Sequence, residues 1–582
     1  MKNSKTLKRC LDLCKGHGRT IILITIFAII LDAIALLKPY LIKLIIDNFL
    51  SLNIYRKGFY TVTSIGVFYL LICLAENTID FISSTMTNVM GERVLFDLRN
   101  RLFKFTQNAN ITFHDQIPAG TIFVRIINDV DDISSLFKEV IATIFKDLLS
   151  IVTTVTIMIY FSYKLSMYAF IVIPFVIISA LIFTKALNYI YTKSNNIRTK
   201  LNTFLAESIY GAKLIKIFNI QKEMKDDCYD MSDKFYKSRF PSAIFEALFP
   251  GFMILFENIA ISIIVFTVLK GWIGESIQVG FIYIFITYIR NLFEPITRVI
   301  DNVEIIQEAG VSINKIYDIL DKQDSQEDLS KGEELKYVKG KLEFKNVWFK
   351  YQKSTHWILQ DVSFTIEPGE TIALVGRTGS GKTTITNLVN RFYDVTKGEI
   401  LLDGRNINEY SKKTLRKRVG TILQDPFVFA KSIRDNIRLN EDISDNTIYK
   451  AIEASSSKDF IQGLPEGIDT VSLERGESFS AGEKQLLAFA RIFAHDPDIF
   501  ILDEATANID TNTESLIQKS INILSKEKTA IFIAHRLSTI VNVDKILVLQ
   551  DGKIIESGTH KQLLKKKGYY SKLYNSFYES LG

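Results

Sequence analysis

Gly376-Arg377-Thr378-Gly379-Ser380-Gly381-Lys382-Thr383 fits the spacing G-x-x-x-x-G-K-[ST], follows the apolar run Thr371–Val375 and opens a helix-forming stretch. Strand, glycine-rich turn and helix start together make the setting that a phosphate-cradling loop requires. The glycines let successive backbone N–H groups close around a phosphate, Lys382 brings a point charge to the outer phosphate oxygens, and the Thr383 hydroxyl is placed to ligate Mg²⁺. Thr384 follows at the rim of the same loop. Further on, Asp498–Glu504 is an apolar strand that ends in two carboxylates. Asp503 would hold the magnesium shell through water, and Glu504 is placed to orient and deprotonate an attacking water. The chemistry these residues imply is phosphoryl transfer from a nucleotide to water.

Such residues need a rigid frame, and the sequence from Gly340 onward supplies one. Short apolar strands such as Thr371–Val375, Ile499–Leu502 and Thr529–Ala534 alternate with helical stretches, the pattern of an α/β domain with parallel strands. This domain is expected over 341–582, after a polar linker over 321–340 that shows no apolar period. The first half differs in kind. Apolar runs at Ile21–Ile46, Tyr60–Ile82, Ile141–Phe161, Leu165–Phe183, Ala243–Leu269 and Val279–Ile300 predict six membrane-spanning helices over 20–320. An even number of spans returns the chain to its starting side. Residues 1–19 carry Lys2, Lys5, Lys8, Arg9, Lys15 and Arg19 against Asp12, which places the N-terminus, and with it the α/β domain, in the cytoplasm of a multi-pass cell-membrane protein. The long connections 90–140 and 184–242 are charge-rich and helix-forming, so they read as membrane helices continuing into the cytoplasm.

Composition agrees. A chain of 582 residues with 47% hydrophobic and 23% charged content excludes disorder and a single small domain. A net charge of +6 is too small and too dispersed to argue for nucleic acid, and basic runs beside apolar segments argue for membrane lipid. The four cysteines are scattered and lack a second ligand pair for zinc, so free thiols in a reducing compartment are expected.

Phe479-Ser480-Ala481-Gly482-Glu483-Lys484-Gln485 lies between the phosphate loop and the two carboxylates, and here the chain resembles an ATP-binding cassette transporter of the exporter type over nearly its whole length. That stretch is similar to the family's Leu-Ser-Gly-Gly-Gln signature. Gln424 sits where the Q-loop glutamine, a Mg²⁺ ligand, would be; Ala507–Asp510 resembles the D-loop, with Asp510 its acidic residue; and His535 matches the switch histidine. Phe349-Lys350-Tyr351 is similar to the A-loop, in which an aromatic ring stacks on adenine, although packing within a strand is the other role open to Tyr351. Gly120–Asp129 and Glu207–Gly211 resemble the family's coupling loops. The resemblance implies ATP and Mg²⁺ as cofactors and a six-helix membrane domain followed by a P-loop α/β cassette. It also implies a half-transporter, because the phosphate loop of one cassette faces the signature of another.

Two departures from the family pattern matter. Ala481 replaces the first glycine of the signature and Glu483 replaces its glutamine. Ser480 and Glu483 form a capping box on residues alone, yet a carboxylate in the first helical turn partly cancels the positive field offered to the opposite γ-phosphate. With Lys382, Glu504 and His535 intact, this resembles one subunit of an asymmetric heterodimer, so a heterodimer is favoured over a homodimer. Inside the spans, Asp32, Glu246 and Glu257 are candidates for a substrate cavity, whereas Arg290 and Glu294, one turn apart, are expected to pair with each other. Prolines 39, 174, 250 and 295 are candidate kinks. The resulting expectation is ATP-driven export of small amphipathic molecules, drugs or lipids. Its rivals are an exporter-fold importer, for example of siderophores, a peptide exporter, and an ATP-gated channel or sensor.

Overall fold

The computed structural model describes residues 8–10, 12–13, 15–51, 57–270, 278–322, 325–334, 337–352, 354–503, 510–526, 528–533 and 540–579. The chain forms two units, Met1–Gln107 with Ile117–Asp324, and Asn108–Gln116 with Ser325–Gly582.

In the first unit, apolar sequence with almost no interior breakers gives helices α1 (Gly18–Ser51), α2 (Lys57–Gln107), α3 (Ala142–Phe161), α4 (Ile173–Tyr210), α5 (Gln221–Leu269), α6 (Val279–Asp301) and α7 (Val303–Leu320). Among the described residues, six helical stretches are long and apolar enough to cross a membrane, and the protein is a multi-pass membrane protein. At 1.5 Å per residue α2 and α5 run for about 75 Å, more than twice a hydrocarbon core, so both continue well past the apolar layer. The fourth span begins as a separate helix, Tyr163–Phe170, capped by Ser162, whose side chain accepts from the Leu165 N–H. Pro174 falls in the first turn of α4, where its missing N–H costs nothing, so this proline coincides with a break. Pro39, Pro250 and Pro295 lie within continuous helices. The core is aromatic: Phe183 packs on Phe249 with centroids 4.9 Å apart, and the Tyr288 hydroxyl donates to Leu36 O at 2.9 Å.

The second unit holds two sheets. Strands β1 (Leu342–Phe349), β2 (Leu359–Ile366), β4 (Lys397–Leu402) and β5 (Arg405–Asn406) make an antiparallel sheet in the order β2-β1-β4-β5. The second sheet, in the order β10-β9-β3-β8-β7-β6, contains β3 (Thr371–Val375), β6 (Val419–Ile422), β7 (Ile499–Asp503), β8 (Thr529–Ile533), β9 (Lys545–Gln550) and β10 (Lys553–Gly558). Its pairs β9·β3, β3·β8, β8·β7 and β7·β6 are parallel, as the alternating pattern predicts. The antiparallel sheet was not legible in that pattern. Helix α8 (Lys382–Val389) buries Ile385 and Leu388 in a cluster with Leu374 of β3 and Phe344 of β1, so the core of this unit bears directly on the phosphate loop.

Asn108–Gln116 joins this unit through backbone bonds from Asn110 N–H to Ser325 O and from Glu327 N–H to Asn108 O, both 2.8 Å. Glu327 also bridges Lys412 (2.7 Å) and Arg416 (2.8 Å) with its side chain 11% exposed. Burial alone would raise its carboxyl, but hydrogen bonds from Arg416 and Lys412 outweigh that and hold it below the usual range. A lowered folded value means that its contribution is complete above the unfolded carboxyl range and is lost as pH falls through the folded value. Glu327→Gln should therefore destabilise the unit by about 2–3 kcal/mol at pH 7. Thermal unfolding of wild type and variant should converge only as pH falls below the ordinary carboxylate range, about 4.3, and through the lowered folded value; a gap independent of pH would refute the account.

Candidate active site

Because the five neighbouring strands β9, β3, β8, β7 and β6 run parallel, their carboxyl ends emerge at one edge. The registers are level: Leu374 opposes Ile533, Ile533 opposes Asp503, and Leu502 opposes Ile422. The phosphate loop after β3, Asp503 at the end of β7 and Gln424 just after β6 are therefore carried to the same edge from positions far apart in sequence. Open parallel sheets bind ligands at that edge. Glu504, Ala507–Ile509 and His535 lie outside the described residues.

Gly376 has no room for a side chain, since a Cβ there would lie 2.3 Å from Leu549 O. Gly379 and Gly381 take left-handed φ of +82° and +103°, which turns the loop sharply into α8. Lys382 is buried, and its Nζ donates to Gly376 O at 2.7 Å and Arg377 O at 3.1 Å, inside the curl of the loop. Ser380 is buried, and its Oγ has no hydrogen-bond partner among the described residues. Arg377, Thr378 and Gly379 are exposed, as is Thr383 in the first turn of α8. Backbone N–H groups at a helix start, an ammonium and two hydroxyls are the donor set for polyphosphate.

Tyr351 is half-buried. Its hydroxyl is 3.4 Å from Thr384 Oγ1, and its ring meets Phe349 and Tyr393 edge-on at centroid distances of 5.0 and 5.1 Å. The ring is thus both packed, as the strand reading expects, and tied to the helix of the phosphate loop. Tyr393 in turn donates to Asp115 at 2.5 Å, within the same unit. Burial first, and then Asp115, push the Tyr393 hydroxyl up. Neither Tyr393 nor Asp115 stood out in the sequence, because 278 residues separate them.

The capping box forms as expected: Ser480 Oγ accepts from Glu483 N–H at 3.2 Å, and the Glu483 carboxylate accepts from Ser480 N–H at 2.7 Å. It starts helix α9 (Ala481–His495). Phe479 and Gly482 are buried, while Ser480 and Ala481 face outward. Two side chains of α9 with no assigned role hold the chain around Gln424. Gln485 Nε2 donates to Gln424 O at 3.0 Å. Arg491, which burial pushes down to about 10, donates to Phe427 O at 2.6 Å and Asn436 O at 2.7 Å. Gln424 itself is exposed. Asp510 caps the helix Thr511–Leu524 by accepting from Thr513 N–H at 2.9 Å, and bonds from Thr513 hold its carboxyl low.

In the membrane unit the three cavity candidates have different surroundings. Glu246 accepts from the Tyr191 hydroxyl at 2.7 Å, and Glu257 pairs with Arg290 at 3.2 Å. Asp32 is buried and accepts from Thr153 at 2.5 Å. The expected Arg290–Glu294 pair is corrected, because Arg290 turns to α5 and Glu294 pairs with Arg298. Arg290 takes an interhelical partner, while Glu294 keeps a one-turn pair on its own helix, with Arg298 in place of Arg290.

The comparisons with known proteins cover both units. Residues 21–296 match the family described as ABC transporter transmembrane region, and residues 359–507 match ABC transporter. A Streptococcus pneumoniae protein named as an ABC transporter ATP-binding protein, exp8, is 34% identical over 98% of this chain and 97% of its own length. A Staphylococcus aureus protein whose name proposes multidrug export is 31% identical over 98% of this chain and 99% of its own. Among solved structures, a bacterial Atm1-family ABC exporter with ATP bound superposes with a TM-score of 0.79 at 25% identity, covering 96% of this chain and 98% of that one.

Proposed function

This chain belongs to the ABC transporter family, with a membrane region and an ATP-binding domain in one polypeptide, and from that premise we propose an ATP-driven exporter of small amphipathic molecules working by alternating access. The observation that carries the reading is the joining of a complete phosphate loop to six apolar spans in one chain. The relatives' names favour export over import, peptide transport or a gated sensor. The cell membrane is the assigned location, with the basic N-terminus and the cassette in the cytoplasm.

The roles follow from the resemblance to the family's motifs, supported by the geometry of the phosphate loop. Lys382 and the N–H groups of Gly379–Thr383 hold the β- and γ-phosphates, and Tyr351 carries the adenine. A bound Mg²⁺ would neutralise charge developing on the phosphates. Thr383, Asp503 and Gln424 are the residues to hold it. One carboxylate with neutral oxygens at the sheet edge suits an ion that keeps most of its ligands as water and phosphate. Glu504 takes a proton from the attacking water, and His535 orients the γ-phosphate.

The site is completed by the signature of a second half-transporter. Glu483 uses its carboxylate to cap its own helix, so the N-terminus that should face another chain's γ-phosphate is already partly neutralised. A heterodimer whose other member has an unmodified signature resolves this. ATP hydrolysis by this chain alone in lipid, with Glu504→Gln as the blank, tests it. We expect turnover near the blank, rising by about tenfold in Glu483→Gln. Full turnover by the wild-type chain alone would sink the heterodimer while leaving the exporter intact.

A further inference from the structure

The membrane unit holds two hollows, and Asp32 lines both. One, of about 710 Å³, is apolar and aromatic, faced by Leu36, Tyr40, Val152, Tyr160, Phe161 and Tyr288. The other, of about 440 Å³, is lined largely by ionisable groups. There Lys38 pairs with Glu76 at 2.6 Å, Lys146 with Asp80 at 3.3 Å and Arg298 with Asp147 at 2.5 Å. Every one of these cations already has a carboxylate, and Glu294 gives Arg298 a second. Lys38, Lys146 and Arg298 stand against Asp32, Glu76, Asp80, Asp147 and Glu294, three against five, a formal surplus of two negative charges.

Asp32 is 5% exposed, and among the described residues its partner is the Thr153 hydroxyl rather than a cation. A carboxylate in a membrane interior without a counter-charge is expensive, and one hydroxyl dipole offsets little of that cost. The apolar hollow gives a lipophilic ligand a route to it. We propose that the apolar hollow binds a lipophilic cation, its apolar body against Leu36, Val152 and Phe161 and its positive centre at Asp32, with Thr153 fixing the carboxylate. An anion would have to displace a carboxylate already seated on Lys38, Lys146 or Arg298.

The proposal relies on the exporter reading only for the fate of the bound ligand, so binding and transport are measured separately. The probes are tetraphenylphosphonium and tetraphenylborate, alike in shape and opposite in charge, titrated onto the full-length protein in lipid nanodiscs against empty discs. The phosphonium should bind at least about tenfold more tightly than the borate, and Asp32→Asn should weaken it about tenfold, with Asp32→Glu restoring part of the loss. Borate binding as tight as phosphonium binding, or a phosphonium affinity unmoved by Asp32→Asn, overturns the proposal. If Asp32→Asn does not fold, Thr153→Val replaces it: a loss of a few-fold supports the site and an unchanged affinity refutes it. ATP-dependent accumulation of phosphonium in inside-out vesicles, with Glu504→Gln as the blank, then addresses export. In vesicles that hold the assembled pair, selective binding without accumulation would remove the exporter reading and keep the site, whereas accumulation indifferent to Asp32 would do the reverse.

Discussion

In the assembled pair of half-transporters in lipid, Lys382→Ala should lower ATP turnover by about 10²–10³-fold, the usual cost of removing one preorganised charge from a phosphoryl-transfer site. The ammonium is held within the loop by Gly376 O and Arg377 O, so little reorganisation separates it from phosphate oxygens in the same curl. Alanine keeps the helix start and its N–H groups, so nucleotide binding should weaken less than turnover. Phosphate release and binding of a fluorescent ATP analogue, measured on the same lipid-embedded protein, separate the two effects. Turnover within threefold of wild type would show that Lys382 is not the charge that matters.

Gly376→Ala should be as damaging by a different route. The added methyl would stand 2.3 Å from Leu549 O and 2.7 Å from Ser380 Oγ. The serine can rotate, but the Leu549 carbonyl belongs to β9, whose Val548 is in register with Val375 of β3. Relief therefore requires prising β3 from β9 in the middle of the sheet. Overpacking against backbone costs about 3 kcal/mol or more, and the loop loses its shape with it. Gly379→Ala is the internal control: nothing lies within 4 Å of its Cβ, so the left-handed φ alone is charged, about 1–2 kcal/mol. Calorimetric unfolding should rank Gly376→Ala well below Gly379→Ala. Equal losses would mean that φ, not contact, governs the loop.

The parts of this molecule that could be read in advance are those whose cause is local. The phosphate loop is eight consecutive residues, the Ser480–Glu483 capping box spans one turn, and each span is a single apolar run, so composition over a short window carries the information. What could not be read depends on residues brought together from far apart. The strand order that sets Leu374 opposite Ile533, and Ile533 opposite Asp503, follows from crossover packing and leaves no mark on any one strand. Tyr393 bonds to Asp115 across nearly half of the chain, and Arg290 chooses Glu257 on another helix over Glu294 on its own. For Asp32 the sequence could supply a carboxylate in an apolar span, while its seat between two hollows of opposite character needed four helices in place.

Residues Asn108–Gln116 belong to the cassette unit although the chain makes them long before the rest of it. At ordinary translation speeds roughly 200 further residues, on the order of 10–40 s of synthesis, separate them from Ser325. During that interval Asn108 O and Asn110 N–H await the Glu327 and Ser325 groups they finally pair with. Completion of the cassette is thus a capture event, in which a late-made body takes hold of an early-made peptide already delivered by two membrane helices. A cassette cut from the chain at Ser325 would be a torso without that peptide, lacking the acceptor for Tyr393 and the strand-like partner of Gln326.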